Sequence, residues 1–343
     1  MSQCFVGLLM ISFQSHLAEA LGERMFYNNE ITLARQENIC EFILHCILML
    51  IVCLGFDFAE AVRIPYDPEQ PSYYYFLSEF ACHLFGIADL ASKWQMNYVV
   101  PEHQLPLVDG KSNKGALLTA NLLLNYVNTH ANGRTTASFH ADNCVAQNKN
   151  NLIMQLMVYF IIIGKLQEIS VNFMIPGHTK FMPDGFFGLL KRKLKKHHCD
   201  SWKQIPKLIE QSSIAEKKNK AKTYGSRMNQ FQYYNLKAHF NGWFKEIPDI
   251  TSYQHFQFSS LNPGFIFTHM QHNGPEIMHD MRSKKWKSMS FIQVCLELSQ
   301  DPDLLTIAPL SQDRKKYLQE KVLCHIHDYG NTQHKDDLLE AIV

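Results

Sequence analysis

The stretch 138–151, SFHADNCVAQNKNN, decides the reading of this chain, together with 171–196, VNFMIPGHTKFMPDGFFGLLKRKLKK. Each reads as a short apolar strand that ends abruptly in an acidic, amide-rich or basic cluster. Asp142 follows the first strand, and Asp184 opens the helix after the second. A third carboxylate, Asp57, closes the apolar run LMLIVCLGFD at 48–57. Two strand ends and one helix start thus deliver three carboxylates, a donor set suited to a divalent ion. The lysines beside two of them suit a phosphate-bearing substrate.

Outward from these segments, hydrophobic periodicity predicts the neighbouring elements. HLAEALGERMFYNNEITLARQENI (16–39) reads as a helix, and Leu48–Asp57 as strand one. SYYYFLSEFACHLFGI (72–87) and KWQMNYVVPE (93–102) read as strands two and three. KSNKGALLTANLLLNYVNTH (111–130) has helical spacing, and RTTASFHAD (134–142) is strand four. NLIMQLMVYFIIIGKL (151–166) is an apolar helix, and EISVNFMIPG (168–177) is strand five. PDGFFGLLKRKLKKHH (183–198) reads as a helix with proline in its first turn and bases at its end. EKKNKAKTYGSR (216–227) reads as a Lys-rich break before aromatic strands, with a last helix at 313–329.

The order βββ-α-β-α-β-α predicts an α/β fold with an RNase H-like mixed five-stranded sheet flanked by helices. The expected domains are an N-terminal helical segment at 1–44, a core at 45–200 and an α+β C-terminal extension at 201–343.

Bulk composition narrows the function classes. With 46% hydrophobic and 19% charged residues, a 343-residue chain can bury a large core. A net charge of +1 excludes a wholly basic nucleic-acid coat, so any such surface must come from local clustering. The nine cysteines include no Cys-x-x-Cys pair, which fits a reduced compartment, nucleus or cytoplasm. The uncharged run Phe42–Phe56 is short for a membrane helix, which needs roughly 20 residues; its second half reads as a buried strand.

The strings HADNCVAQNKNN and FMIPGHTKFMPDGFFGLLKRK resemble the signature of an uncharacterised metazoan domain-of-unknown-function family of the 7869 type, apparently transposon-derived. HLAEALGERMFY, FDFAEAVRIP, KGA, GWF and PLSQDRKKYL agree with it, and the resemblance runs from about residue 16 to 330. It implies a DDE/D-type transposase fold. Two features depart from the pattern. Only Cys4 and His16 stand where relatives resemble proteins with a zinc-binding segment, and Ala146 stands where glycine is expected.

The expected catalytic and metal-ligating residues are Asp57, Asp142 and Asp184, holding Mg2+ or Mn2+, with Glu60 and Asp67 as competing acids. Expected substrate contacts are Asn143, Gln147, Asn148, Lys149, His178, Lys180, Lys191, Arg192 and Lys193. Each has a plainer reading: a turn cap at Asp142, a helix-start acid at Asp184, a strand-end surface acid at Asp57. The amide cluster could be a polar turn, and the basic helix end a solvated face. His197, His198 and Cys199 lack a ligand partner at clear spacing. The expected partner is nucleic acid, DNA rather than RNA, and no membrane, with homo-oligomerisation left open. Two functions follow: a metal-dependent strand-cleaving and strand-transfer core, or an inactive binding module on the same fold.

Overall fold

The computed structural model describes residues 16–36, 51–69, 72–131, 133–175, 181–225, 227, 230–326 and 333–342. In chain order the elements are α1 (16–36), β1 (Ile51–Phe58), β2 (Val62–Ile64), β3 (Phe80–Asp89), β4 (Trp94–Pro101), β5 (Leu107–Val108), β6 (Lys111–Ser112) and α2 (Ala116–His130). There follow β7 (Thr136–Ala141), α3 (Asn151–Ile162), β8 (Glu168–Phe173), α4 (Met182–Leu194), α5 (Ile205–Gln211), β9 (Lys218–Tyr224), β10 (Gln230–Phe231) and α6 (Leu236–Phe240). The chain continues with β11 (His255–Ser259), β12 (Phe265–His269), β13 (Ile277–Asp280), α7 (Lys284–Lys287), α8 (Phe291–Leu298), α9 (Gln312–Tyr317) and α10 (Gln333–Ile342). This is a mixed α/β protein whose strands form mixed sheet flanked by helices.

The chain divides into two compact units. The first comprises 1–54, 131–180 and 242–295; the second comprises 55–130, 181–241 and 296–343. β1 straddles the boundary after Leu54.

In the first unit the strand order is β1-β7-β8-β11-β12-β13. β7 and β8 run parallel over six residue pairs from Thr136↔Glu168 to Ala141↔Phe173. β11 then pairs β8 antiparallel from His255↔Asn172 to Ser259↔Glu168. Parallel neighbours need a long crossover, and α3 supplies it. Nine of its twelve residues are buried, as expected for a helix that is apolar nearly all round.

In the second unit the order is β10-β9-β4-β3-β1, with β2 also on β3. β3 and β4 form an antiparallel ladder from Cys82↔Pro101 to Asp89↔Trp94. α4 turns Phe186, Phe187, Leu189, Leu190 and Leu194 inward and leaves its terminal bases outside. Leu190 and Leu194 pack with Val62, Ile64, Phe80 and Leu84, and the C-terminal Leu318, Val322 and Leu338 close the same core.

Four expectations are corrected. Residues Ser72–Phe76 are a 3-10 turn rather than strand, and strand two is Phe80–Asp89. The Lys-rich segment at 216–227 is no break: Lys218–Tyr224 is a strand paired with β4 from Trp94↔Lys218 to Val99↔Thr223. Its alternation carries the reason. Asn219 faces inward and bonds Asn97 at 3.0 Å, while Lys218 and Lys220 face out. The helix expected at 313–329 is broken, α9 passing into a π-helical turn at Leu318–Val322 and a 3-10 turn at Leu323–His325, and α10 follows it. The sheet is also larger than five strands, because β9, β10 and β11–β13 extend it. The first half of the apolar run 42–56 lies outside the described residues, and its second half is buried β1. Among the described residues no helix is long and apolar enough to cross a membrane.

Candidate functional site

In the first unit, the loop after β7 is built by its own polar side chains. Asp142 accepts through Oδ1 from the Cys144 backbone N–H at 3.1 Å and from Asn148 Nδ2 at 2.7 Å. Asn143 donates to the Met174 carbonyl, tying the loop to the end of β8. Asn150 caps α3, accepting from the Ile153 N–H at 3.2 Å, and donates to the Val145 carbonyl at 3.1 Å. A capping asparagine stabilises a helix start by about 1 kcal/mol. Asn151 accepts from the Ile247 N–H at 2.8 Å.

Lys149 is the anchor of this loop. It is 1% exposed, and its Nζ donates to Asn143 Oδ1 and the Thr251 carbonyl, both at 2.9 Å, and to Gln254 Oε1 at 3.4 Å. The ammonium also stands 5.3 Å from the Phe173 ring centroid. Burial lowers its pKa to about 8. Lys149 was expected to meet substrate phosphate; its charge is instead turned inward. Gln147 is half-buried, and the buried Asn148 Oδ1 has no hydrogen-bond partner among the described residues.

In the second unit, Asp57 stands at the end of β1, half-buried, with its Oδ1 accepting from the Phe58 N–H at 2.7 Å. Asp184 occupies the first turn of α4 and accepts through Oδ2 from the Phe181 N–H at 3.0 Å. A Cβ added at Gly55 would meet Phe181 Cε2 at 3.0 Å. Strand side chains alternate, so Asp57 leaves β1 on the face to which that Cβ would point, the face against the α4 entry. Asp57 and the start of the Asp184 helix therefore share one side of β1.

The basic end of α4 is divided. Lys191 is exposed and pairs with Glu60 at 3.1 Å. Arg192 is exposed and Lys193 half-buried, and no carboxylate pairs with either among the described residues. His197 Nδ1 lies 2.8 Å from the Lys193 carbonyl, His198 lies 3.8 Å from Asp67, and Cys199 is buried. His178 and Lys180 lie outside the described residues. Among the described residues no group of three or more His, Cys, Asp or Glu side chains is assembled to hold a metal ion.

Two features escaped the sequence reading. In the second unit a cleft of about 990 Å³ has an apolar floor of Val62, Leu84, Phe187 and Leu190, with Tyr75 and Phe76 at its mouth, 88% and 82% exposed. The SYYYF run was the available signal. In the first unit, α1 is riveted to the sheet by buried acid–histidine contacts. Glu23 meets His255 Nε2 at 2.9 Å and His272 Nδ1 at 3.1 Å; Glu30 accepts from Ser138 and lies 3.7 Å from His140. Burial alone would raise the Glu23 pKa, but the two histidines outweigh it and hold the carboxyl at about 2.

A domain of unknown function, DUF7869, spans residues 103–273. That span takes in the Asp142 loop and the Asp184 helix start, and it begins after Asp57. No curated protein and no solved structure matches the chain.

Proposed function

We propose that this chain is an RNase H-like, transposase-derived core that cleaves or transfers nucleic-acid strands with a divalent ion. The observation that carries this reading is the strand order. In the second unit β4-β3-β1 follow one another, with β3 and β4 antiparallel; in the first, β1-β7-β8 follow, with β7 and β8 parallel. Helices α2, α3 and α4 come after β4, β7 and β8 in the chain. The three carboxylates fall at the end of β1, just after β7 and at the start of α4.

The donor set suits the group proposed for it. Magnesium and manganese prefer oxygen ligands, and Asp142 and Asp184 each commit one oxygen to a local bond that orients the carboxyl. Among the described residues their other oxygens have no hydrogen-bond partner. Among the described residues no group of three acids is assembled; Asp142 belongs to the first unit, and Asp57 and Asp184 belong to the second. When bound, the ion would stabilise the charge on attacking and leaving oxygens. The substrate would be DNA, which implies a nuclear site of action.

The test is calorimetry with magnesium and manganese, alongside nicking assays on single-stranded, duplex and branched DNA. Asp142→Asn keeps the volume and the acceptor while removing the charge. It should abolish cleavage and weaken metal binding; unchanged metal binding would count against the reading. The inward Lys149 favours a second reading, an inactive module on the same fold. DNA binding without cleavage of any substrate would establish that alternative.

A further inference from the structure

A cluster of basic groups in the second unit forms no ion pair among the described residues. Arg63 lies on β2 opposite Ala81 of β3, and it is exposed. His83 is two residues beyond Ala81, so it shares the Arg63 face and is diagonal to it, roughly 7–8 Å away between backbones. Phe85, two further on, packs on the Phe58 ring with centroids 4.7 Å apart. Above Phe58 stands Lys114, its Nζ 5.2 Å from the ring centroid. Three nitrogen-bearing side chains from three segments thus converge over one apolar patch.

Among the described residues, neither Arg63 nor Lys114 has a carboxylate or hydrogen-bond partner, and the buried His83 Nδ1 has none either. The neighbour across from His83 on β4 is Val100, which is apolar. Burial lowers the His83 pKa to about 4, with Lys114 and then Arg63 adding to it. Lys114 is lowered by burial and by Arg63. Like charges held together around a half-buried imidazole, with no ion pair to an acid among the described residues, are costly unless an anion joins them.

We propose that Arg63, His83 and Lys114 form a phosphate-binding site. The Arg63 fork and the Lys114 ammonium would donate to phosphate oxygens, and His83 Nδ1–H would supply the third bond. Asp57 leaves β1 on the opposite face from Phe58, so this site grips a phosphate remote from the carboxylates. It shares no residue with them and needs no metal. The phosphate could be free or part of a nucleic-acid backbone.

The experiment is calorimetry in EDTA, with inorganic phosphate in one arm and a short single-stranded oligonucleotide in the other. Losing two charged donors should weaken binding at least about tenfold in Arg63→Gln/Lys114→Gln. Lys114→Arg should retain it. His83 ring resonances should move on titration in the parent and not in the double variant. Tighter oligonucleotide than phosphate binding, with a salt slope of about −0.7 per phosphate, identifies a backbone contact; equal affinity identifies a free phosphate group. A parent chain that binds neither probe, or a folded double variant that binds both as tightly as the parent, overturns the proposal. EDTA keeps this outcome separate from the fate of the metal reading.

Discussion

Replacing Lys149 by methionine tests whether the buried charge of the loop after β7 is a structural rivet. The parent lysine has a pKa of about 8 against an ordinary 10.5. At about 1.4 kcal/mol per pH unit this caps the penalty of the buried ammonium near 3 kcal/mol, and solvent screening reduces it to about 2 kcal/mol. The sign follows from proton counts. Below about pH 8 the lysine is charged in both states and the folded state carries the full penalty. Between about 8 and 10.5 the folded state loses its proton first. The unfolded state then binds more protons, so stability rises with pH. Methionine removes the penalty but strands the acceptors Asn143 Oδ1 and the Thr251 carbonyl, each costing about 1–3 kcal/mol. At pH 7 the variant should therefore be less stable by roughly 1–2 kcal/mol. Between about pH 7 and pH 10 the gap should widen by about 2 kcal/mol, because only the parent gains. Urea denaturation at a series of pH values measures both quantities. Parallel stability curves for parent and variant would refute the account of Lys149.

Other perturbations have equally definite outcomes. Glu23→Gln should cost about 2 kcal/mol at neutral pH; the parent's contribution is complete above the ordinary carboxyl pKa and fades as pH falls toward 2, so acid unfolding should separate the two chains. Asn150→Ala removes the α3 cap and should lower stability by about 1 kcal/mol in thermal melts. Gly86→Ala places a methyl group 2.6 Å from Gln95 Nε2 and 2.7 Å from Phe187 Cζ, so overpacking should cost about 1–3 kcal/mol in denaturant titration. Arg314→Ala should cost about 2 kcal/mol or more, because Glu102 and the Ser78 and Glu79 carbonyls lose their shared donor; amide exchange across β3 and β4 should speed up.

How much of this was legible depended on whether an element's identity was local. β1, β7 and β8 were readable because their apolar runs stop at Asp57, at Asp142 and at the Pro-Gly pair 176–177 of the sequence. α4 was readable from Pro183 and its terminal bases. β9 was not, because KNKAKTY carries its strand character in its partner: Lys220 Nζ stands 4.4 Å from the Trp94 ring centroid, and Asn97 Nδ2 donates to Asn219 Oδ1. Lysine-rich composition hid a pairing that only tertiary structure supplies. The same limit applied to Lys149. A lysine in an amide-rich turn reads as a surface cation until Thr251 and Gln254, about a hundred residues away in sequence, arrive to bind it. Arg63, His83 and Lys114 are three unremarkable positions in sequence; strand register brings Arg63 and His83 to one face, and the β6–α2 loop carries Lys114 over it.

The chain passes between its two units five times, after residues 54, 130, 180, 241 and 295. The match to DUF7869 at 103–273 takes in parts of both units and begins after β4. A stretch cut at those bounds lacks strands that its own strands pair with. Expressed in isolation it would present β9 without β4 and β7 without β1, two bare ladders open to intermolecular pairing.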